Sequence, residues 1–148
     1  MPAFESIQHS TAPVETVWEV LSDHEGMPSW ARVKSVELEQ QGSPDANGVG
    51  AVRVLRSGPI RVVEEITEFD APKTLAYRMT KGLPIKRWDG RVELAVAGDG
   101  TKITWRIDME PDMPAMGWAL KRMARKLCED LAEGLARQAD ERRGQGEG

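Results

Sequence analysis

The dominant feature of the apolar pattern is a long amphipathic segment near the end of the chain, from Met113 to about Gln138. Apolar and small side chains recur there at the three-and-four-residue spacing of a helix face, and charged side chains fill most other positions. The stripe consists of Met116, Leu120, Met123, Leu127, Leu131, Gly134, Leu135 and Gln138. At about 1.5 Å of rise per residue, the predicted helix is about 40 Å long. A long, concave surface must therefore cover it.

Gly134 lies at the centre of this stripe, where glycine lowers helix stability by roughly 1 kcal/mol relative to alanine. Its presence predicts that a strand approaches the helix closely at this point. Ala132 is assigned to the outer face of the helix.

The beginning of the chain predicts a strand followed by two short helices. Residues 3–10 alternate like a strand, but their mixed polarity leaves the inward phase open. Pro13 is a favourable first helical residue, and apolar side chains then repeat at helical spacing as far as about Ser22. Residues 24–32 carry Gly, Pro and Ser and support only one more short turn, anchored by Met27 and Trp30.

From Val33 to Met109 the period changes to two, which predicts about six antiparallel strands joined by hairpins. In one of them Val52 and Val54 share the apolar phase, and Arg53 is assigned to the polar phase. A sheet with one apolar face and a helix with one apolar stripe must pack on each other, which gives an α+β domain of two layers. We assign residues 1–140 to this single domain and predict that the polar, Gly-rich tail at 141–148 is disordered.

Composition and charge argue against several classes of protein. The 148 residues include 20 Lys and Arg against 24 Asp and Glu without a dense basic run, so a nucleic-acid partner is not indicated. Because Cys128 is the single cysteine and no apolar run is long enough for a signal sequence or a membrane span, we expect a cytoplasmic protein without disulfides or integral membrane association. His9 and His24 are far apart, and the glycine-rich segments read as hairpin turns. The sequence therefore indicates neither a metal nor another cofactor.

Glu64 is the polar residue of greatest chemical interest. It shares a strand phase with Val62 and Ile66. If that phase faces the interior, the carboxylate must be paired, hydrogen-bonded or protonated, and it becomes a candidate ligand anchor or acid–base group. If Val63 and Phe69 mark the inward phase instead, Glu64 faces solvent. The pattern does not decide between these alternatives.

Tyr77 shares the apolar phase of Leu75 and Met79, so its hydroxyl either meets a ligand or fills core. Several charged strand residues alternate with the apolar phase and are expected to form solvent-facing cross-strand pairs. These residues are Arg78, Arg87, Asp89, Arg91 and Arg106.

Several short motifs occur in an order and spacing that resemble a known superfamily. They are Ala12-Pro13-Val14-Glu15 with Val17 and Trp18; Asp23 and Trp30; the run 64–72 (EEITEFDAP) with Leu75, Ala76, Tyr77 and Arg78; and Gly100-Thr101 with Ile103, Thr104 and Trp105. From about Ser6 to Gln138 the chain resembles the polyketide cyclase/dehydrase and lipid-transport proteins of the START-like (SRPBCC, Bet v 1-like) superfamily. The resemblance implies a helix-grip fold, in which a curved antiparallel sheet of about six or seven strands wraps the C-terminal helix and leaves a cavity between them.

Three functional hypotheses follow. The first is a carrier or sensor that binds a small hydrophobic molecule in the cavity, and it does not require catalysis. The second is an aromatase/cyclase-like enzyme in which Glu64 or Tyr77 moves a proton. The third is an interaction module with a vestigial cavity, which binds another protein through its sheet or the Trp118 face. The residues predicted to line the cavity are Trp30, Glu64, Tyr77, Met79, Trp88, Trp105, Met109, Met116, Met123 and Leu127.

Overall fold

Seven antiparallel strands form one curved sheet in the computed structural model, which describes residues 3–146. The strands are β1 (Ala3–Ser10), β2 (Ser35–Gln40), β3 (Val52–Ser57), β4 (Ile60–Asp70), β5 (Thr74–Lys81), β6 (Ile85–Ala97) and β7 (Gly100–Pro111). Their order across the sheet is β1-β7-β6-β5-β4-β3-β2. Helix α1 (Val14–Ser22) and a 3-10 helix (His24–Ser29) follow β1, and the long helix α2 (Gly117–Gly146) follows β7. The predicted α+β fold class and helix-grip element order are confirmed.

The inward phases of the later strands also agree with the alternation in the sequence. On β6 and β7 the inward phase ends in the exposed Val96 next to the hairpin, and its other large apolar side chains are all buried. They are Trp88, Val92, Leu94, Ile103, Trp105, Ile107 and Met109. On β1, whose phase the sequence left open, the even-numbered positions face inward, and two of them are the buried serines Ser6 and Ser10. Polar inward residues are the reason that the polarity pattern of this strand was ambiguous.

Helix α2 lies over one half of the concave sheet face. It packs mainly on β1 and β7, where small buried side chains let the helix approach the sheet closely. These small residues are Ala124, Cys128, Ala132, Ala136 and Ala139. On the flank towards β3, β4 and β5 the helix carries larger side chains, and space remains between the two layers. That space is the cavity described below.

The helix differs from the prediction at both ends. Pro114–Met116 forms a separate 3-10 turn, and α2 begins only at Gly117. The helix then continues past Gln138 to Gly146, through most of the segment that we predicted to be disordered. Glu and Arg residues, which have high helix propensity, dominate the first part of this segment and outweigh its polarity. Residues 147 and 148 of the predicted tail lie outside the described residues.

Asp140 ties this end of α2 to the connection between β1 and α1. Its Oδ1 accepts hydrogen bonds from Ser10 Oγ at 2.7 Å, from Thr11 N at 2.7 Å and from Thr11 Oγ1 at 3.0 Å. Burial opposes ionisation of this carboxyl, but the three hydrogen bonds outweigh it and lower the pKa of Asp140. The C-terminal helix is therefore held to the edge of the sheet by a charged anchor as well as by its apolar face.

Gly134 permits the close approach that the sequence predicted, but the neighbour is not a strand. A Cβ at this position would overlap the backbone carbonyl oxygen of Trp30, in the segment after the 3-10 helix. Ala132 was assigned to the outer face, and that assignment is wrong because Ala132 is fully buried. The helix is thus buried over a wider arc than the stripe of large apolar residues indicates.

Within residues 3–146, the helices lack the combination of length and apolar character that crossing a membrane requires.

Two glycines of α2 provide a matched test of this contact. Gly134→Ala should lower the melting temperature because the added methyl group meets the Trp30 carbonyl, and overpacking of this kind typically costs about 1–3 kcal/mol. Gly144→Ala adds the same methyl group to open space on the same helix and should be neutral or slightly stabilising. Thermal denaturation followed by circular dichroism measures both. A Gly134→Ala variant as stable as Gly144→Ala would contradict the close approach.

Candidate functional site

A cavity of about 240 Å³ lies between α2 and the β3–β5 half of the sheet. Most of its lining is apolar, and its polar side chains are few. The apolar lining residues are Met27, Ala31, Val33, Leu55, Ile60, Val62, Met79, Leu83, Trp105, Met123, Leu127 and Leu131. The polar ones are Arg32, Arg53, Ser57, Glu64 and Tyr77.

Glu64 faces this cavity, which resolves the alternative left open by the sequence. Its side chain is buried, with the residue only 6% exposed, and it pairs with the equally buried Arg53 on the neighbouring strand. Arg53 donates two hydrogen bonds to the same oxygen of Glu64, from Nε at 3.0 Å and from Nη2 at 2.7 Å to Oε1. The carboxylate in the apolar wall is therefore stabilised by a charge-assisted, hydrogen-bonded partner.

The prediction that Arg53 occupies the solvent phase is wrong. Arg53 is 3% exposed and lines the cavity together with Leu55 and Ser57. Val54, which we placed in the inward phase, lies on the opposite face and is nevertheless buried. Strand β3 is covered on both faces at this point, so alternation of apolar and polar residues does not identify its inner side.

His24 extends the buried polar network behind Arg53. The guanidinium has only donors, so Arg53 Nη1 donates to His24 Nδ1 at 3.1 Å, and His24 Nε2–H donates to the Asn47 carbonyl oxygen at 2.8 Å. Burial first, and the nearby charge of Arg53 second, lower the pKa of His24 to about 3. His24 is therefore neutral at physiological pH and holds the far side of the Arg53 guanidinium.

Tyr77 completes the polar end of the cavity. The Arg53 guanidinium lies over its ring at 5.0 Å from the centroid, and Trp105 Nε1 donates to its hydroxyl oxygen at 3.2 Å. Gly90 is its cross-strand neighbour on β6, and any Cβ there would overlap the tyrosine ring. Burial, followed by the charge of Glu64, raises the pKa of Tyr77, so the phenol stays protonated.

Part of the predicted ligand-contact set lies on the cavity wall. These residues are Glu64, Tyr77, Met79, Trp105, Met123 and Leu127. Their contact with a ligand remains a prediction, but the structure brings them together around one space.

The other predicted positions lie away from this wall. Trp88 and Met109 are cross-strand neighbours on β6 and β7, and both are buried in the hydrophobic core. Trp30 packs behind Trp105, with 6.1 Å between the ring centroids. Met116 lies in the 3-10 turn before α2 and is half exposed. Strand alternation identified the concave face, but it could not show which part of that face the helix fills.

The remaining chemistry-bearing residues are structural or exposed. Burial raises the pKa of Cys128 to about 11, and its thiol donates to the Trp105 carbonyl oxygen at 3.1 Å, so it is an unreactive packed thiol. The predicted surface ion pairs are present, for example Arg91 with Glu68 at 2.8 Å. Within the part of the chain that the structure describes, no three His, Cys, Asp or Glu side chains are grouped to hold a metal ion. Trp118 is 69% exposed on the outer side of α2.

Comparisons with known proteins agree with this architecture. Residues 1–140 match the family model described as polyketide cyclase / dehydrase and lipid transport. A START superfamily protein from Mycobacterium smegmatis superimposes with a TM-score of 0.80 at 16% identity, over 94% of this chain and 97% of its own. Major latex-like protein 151 from Panax ginseng gives 0.73 at 15% identity, over 93% and 97%.

A protein from Thermobifida fusca gives a TM-score of 0.73 at 22% identity, over 93% of this chain and 95% of its own. Identities this low show a shared fold alone. No curated protein matches the sequence significantly.

Removing the arginine of the buried pair should be far more damaging than removing a similar arginine from an exposed pair. Arg53→Met leaves the Glu64 carboxylate buried without its partner, and breaking a buried ion pair costs about 3–5 kcal/mol. Arg78→Met breaks a pair of similar length, 2.8 Å to Glu65, that lies at the surface and contributes at most about 1 kcal/mol. Urea denaturation of both variants measures the difference. Equal losses of stability would contradict the buried pairing.

The His24 environment predicts a specific dependence of stability on pH. Because the folded pKa is about 3 and the ordinary value is 6.5, only the unfolded chain binds this proton as the pH falls from about 6.5 to about 3. Stability is therefore lost over that window, by up to about 1.4 kcal/mol per pH unit for one proton. His24→Gln removes this titration, so its stability deficit relative to wild type should shrink towards low pH. A deficit that is constant between pH 7 and pH 4 would show that His24 is not held neutral.

Proposed function

The chain belongs to the polyketide cyclase / dehydrase and lipid-transport family, and we propose that it binds one small, mostly apolar molecule in the cavity between α2 and β3–β5. The observation that carries this proposal is the combination of an apolar wall with a buried ion pair that lines it. Ligand sites have this composition, since apolar area supplies affinity and a few placed polar groups fix orientation. An ordinary core would leave neither the space nor a desolvated carboxylate.

The volume limits the size of the molecule. A cavity of about 240 Å³ is smaller than the roughly 300–1,000 Å³ typical of sites for drug-sized ligands. At about 30 Å³ for each water-sized unit, it accommodates on the order of ten non-hydrogen atoms. A molecule of one or two rings, or a short alkyl chain, matches this space.

A second candidate function is a cyclase-like reaction on such a molecule. The observation in its favour is that Glu64 and Tyr77 line the same cavity, as an inward acid–base pair requires. The arrangement is better suited to binding, because Arg53 already occupies Oε1 of the carboxylate and the Tyr77 phenol is held protonated. A molecule extracted from the purified protein and returned to it should therefore keep its mass and its chromatographic retention, and a change in either would favour the enzyme.

The third hypothesis, an interaction module, rested on a cavity that had been lost in this chain. The space between α2 and β3–β5 includes a charged pair in its lining, which favours ligand binding over a vestigial cavity. The exposed Trp118 face is compatible with ligand binding as well.

Filling the cavity should abolish binding without unfolding the protein. Leu127→Trp places a large ring at the edge of the space, whereas Glu133→Trp places the same ring at an exposed position of the same helix. The neutral two-ring probe 1-aminonaphthalene, whose fluorescence shifts to shorter wavelength in apolar surroundings, should bind saturably to wild type and to Glu133→Trp. Binding to Leu127→Trp should be at least about tenfold weaker, and melting temperatures verify the fold. Equal binding by all three proteins would place the probe elsewhere, and the proposal would fail.

A further inference from the structure

Only one of the two carboxyl oxygens of Glu64, at the polar end of the cavity, accepts hydrogen bonds from the described residues. Arg53 Nε and Nη2 both donate to Oε1 of Glu64, and no residue in the described range 3–146 donates to Oε2. Glu64 lines the cavity, so its second carboxyl oxygen remains available as an acceptor to whatever occupies the cavity. An acceptor that faces the cavity can be satisfied by a hydrogen-bond donor on the ligand.

Tyr77 offers the complementary group. Its hydroxyl oxygen receives the Trp105 N–H, and among the described residues no acceptor takes the hydroxyl proton. Arg53 contacts both residues, through hydrogen bonds to Glu64 and with its guanidinium over the Tyr77 ring, so Glu64 and Tyr77 lie at the same end of the cavity. Gly90 and the Arg53 guanidinium fix the ring in this orientation. The end of the cavity therefore presents one acceptor and one donor.

Resting on the proposed function, we infer that the ligand is an uncharged molecule with a single hydroxyl group, which donates to Glu64 Oε2 and accepts from Tyr77 Oη. A hydroxyl is the smallest group that satisfies both partners at once. The rest of the molecule is apolar, as the remainder of the wall requires.

Charge at the site works against ionised ligands. Arg53 and Glu64 neutralise each other, so the polar end has no net charge to attract an ion. A ligand carboxylate would accept a hydrogen bond from Tyr77, but it would be repelled by the neighbouring Glu64 carboxylate. A ligand ammonium would donate to Oε2, but it would be repelled by Arg53 and would leave the Tyr77 proton without an acceptor. Arg32, the other charged lining residue, has a side chain that is 80% exposed and lies 4.0 Å from Asp130, so it belongs to the rim.

Matched naphthalene probes test this inference, because they differ only in the polar group and have about the size derived for the cavity. Equilibrium dialysis at pH 7 compares 2-naphthol with naphthalene, 2-methoxynaphthalene, 2-naphthoate and 2-(aminomethyl)naphthalene. We expect 2-naphthol to bind at least about tenfold more tightly than each of the others. The methoxy compound isolates the Glu64 contact, since its oxygen accepts from Tyr77 but has no proton to donate.

Tyr77→Phe isolates the second contact and retains the shape of the ring. This substitution should weaken the binding of 2-naphthol by about fivefold to tenfold and leave the affinity for naphthalene unchanged. Met79→Leu, on the same strand and cavity wall, should change the affinity for every probe by a similar small factor and preserve the preference for 2-naphthol.

The possible results separate this inference from the proposed function. Equal affinities for naphthalene, the ether and 2-naphthol, with all three blocked by Leu127→Trp, would overturn the hydroxyl assignment and leave an apolar binding site. Tightest binding of 2-naphthoate or of the amine would also overturn it, in favour of an ionic site. Absence of saturable binding by every probe would contradict both the inference and the proposed function.

Discussion

The buried ion pair between Arg53 and Glu64 is the interaction on which the interior of this protein depends. Neither charge is compatible with an apolar interior alone, and each is stabilised by the other across neighbouring strands. His24 and Tyr77 then hold the two remaining sides of the guanidinium, one by a hydrogen bond and one by its ring face. A well-packed apolar pair would give comparable or better stability, so stability alone does not account for these charges.

The cavity itself results from unequal packing of α2 on the sheet. Alanines and Cys128 let the helix approach β1 and β7, and Gly134 lets the Trp30 backbone approach the helix from the other side. The larger Met123, Leu127 and Leu131 cannot fill the remaining distance to β3–β5. Close contact on one half of the sheet and open space on the other are thus two consequences of the same distribution of small and large side chains.

Most of the fold could be predicted from the sequence because period two, helical spacing and turn residues agree with one another along nearly the whole chain. The site was harder to predict, since alternation shows which strand face is apolar and not which part of it the helix covers, as Trp88 and Met109 illustrate. Arg53 was missed although a signal existed. Counting outward from the two-residue turn at Gly58 and Pro59, Ser57 pairs with Ile60 and Arg53 falls directly opposite Glu64. An inward Glu64 therefore required Arg53 to be its partner.

A crystal structure of the protein with 2-naphthol tests the proposed binding mode most directly. We predict that the naphthol ring occupies the space beside Met79, Trp105 and Leu127, with its oxygen at about 2.5–3.0 Å from both Glu64 Oε2 and Tyr77 Oη. Arg53 should remain bound to Oε1. A naphthol oxygen directed to the rim near Arg32, a ring outside the cavity, or an Arg53 side chain turned away from Glu64 would contradict it.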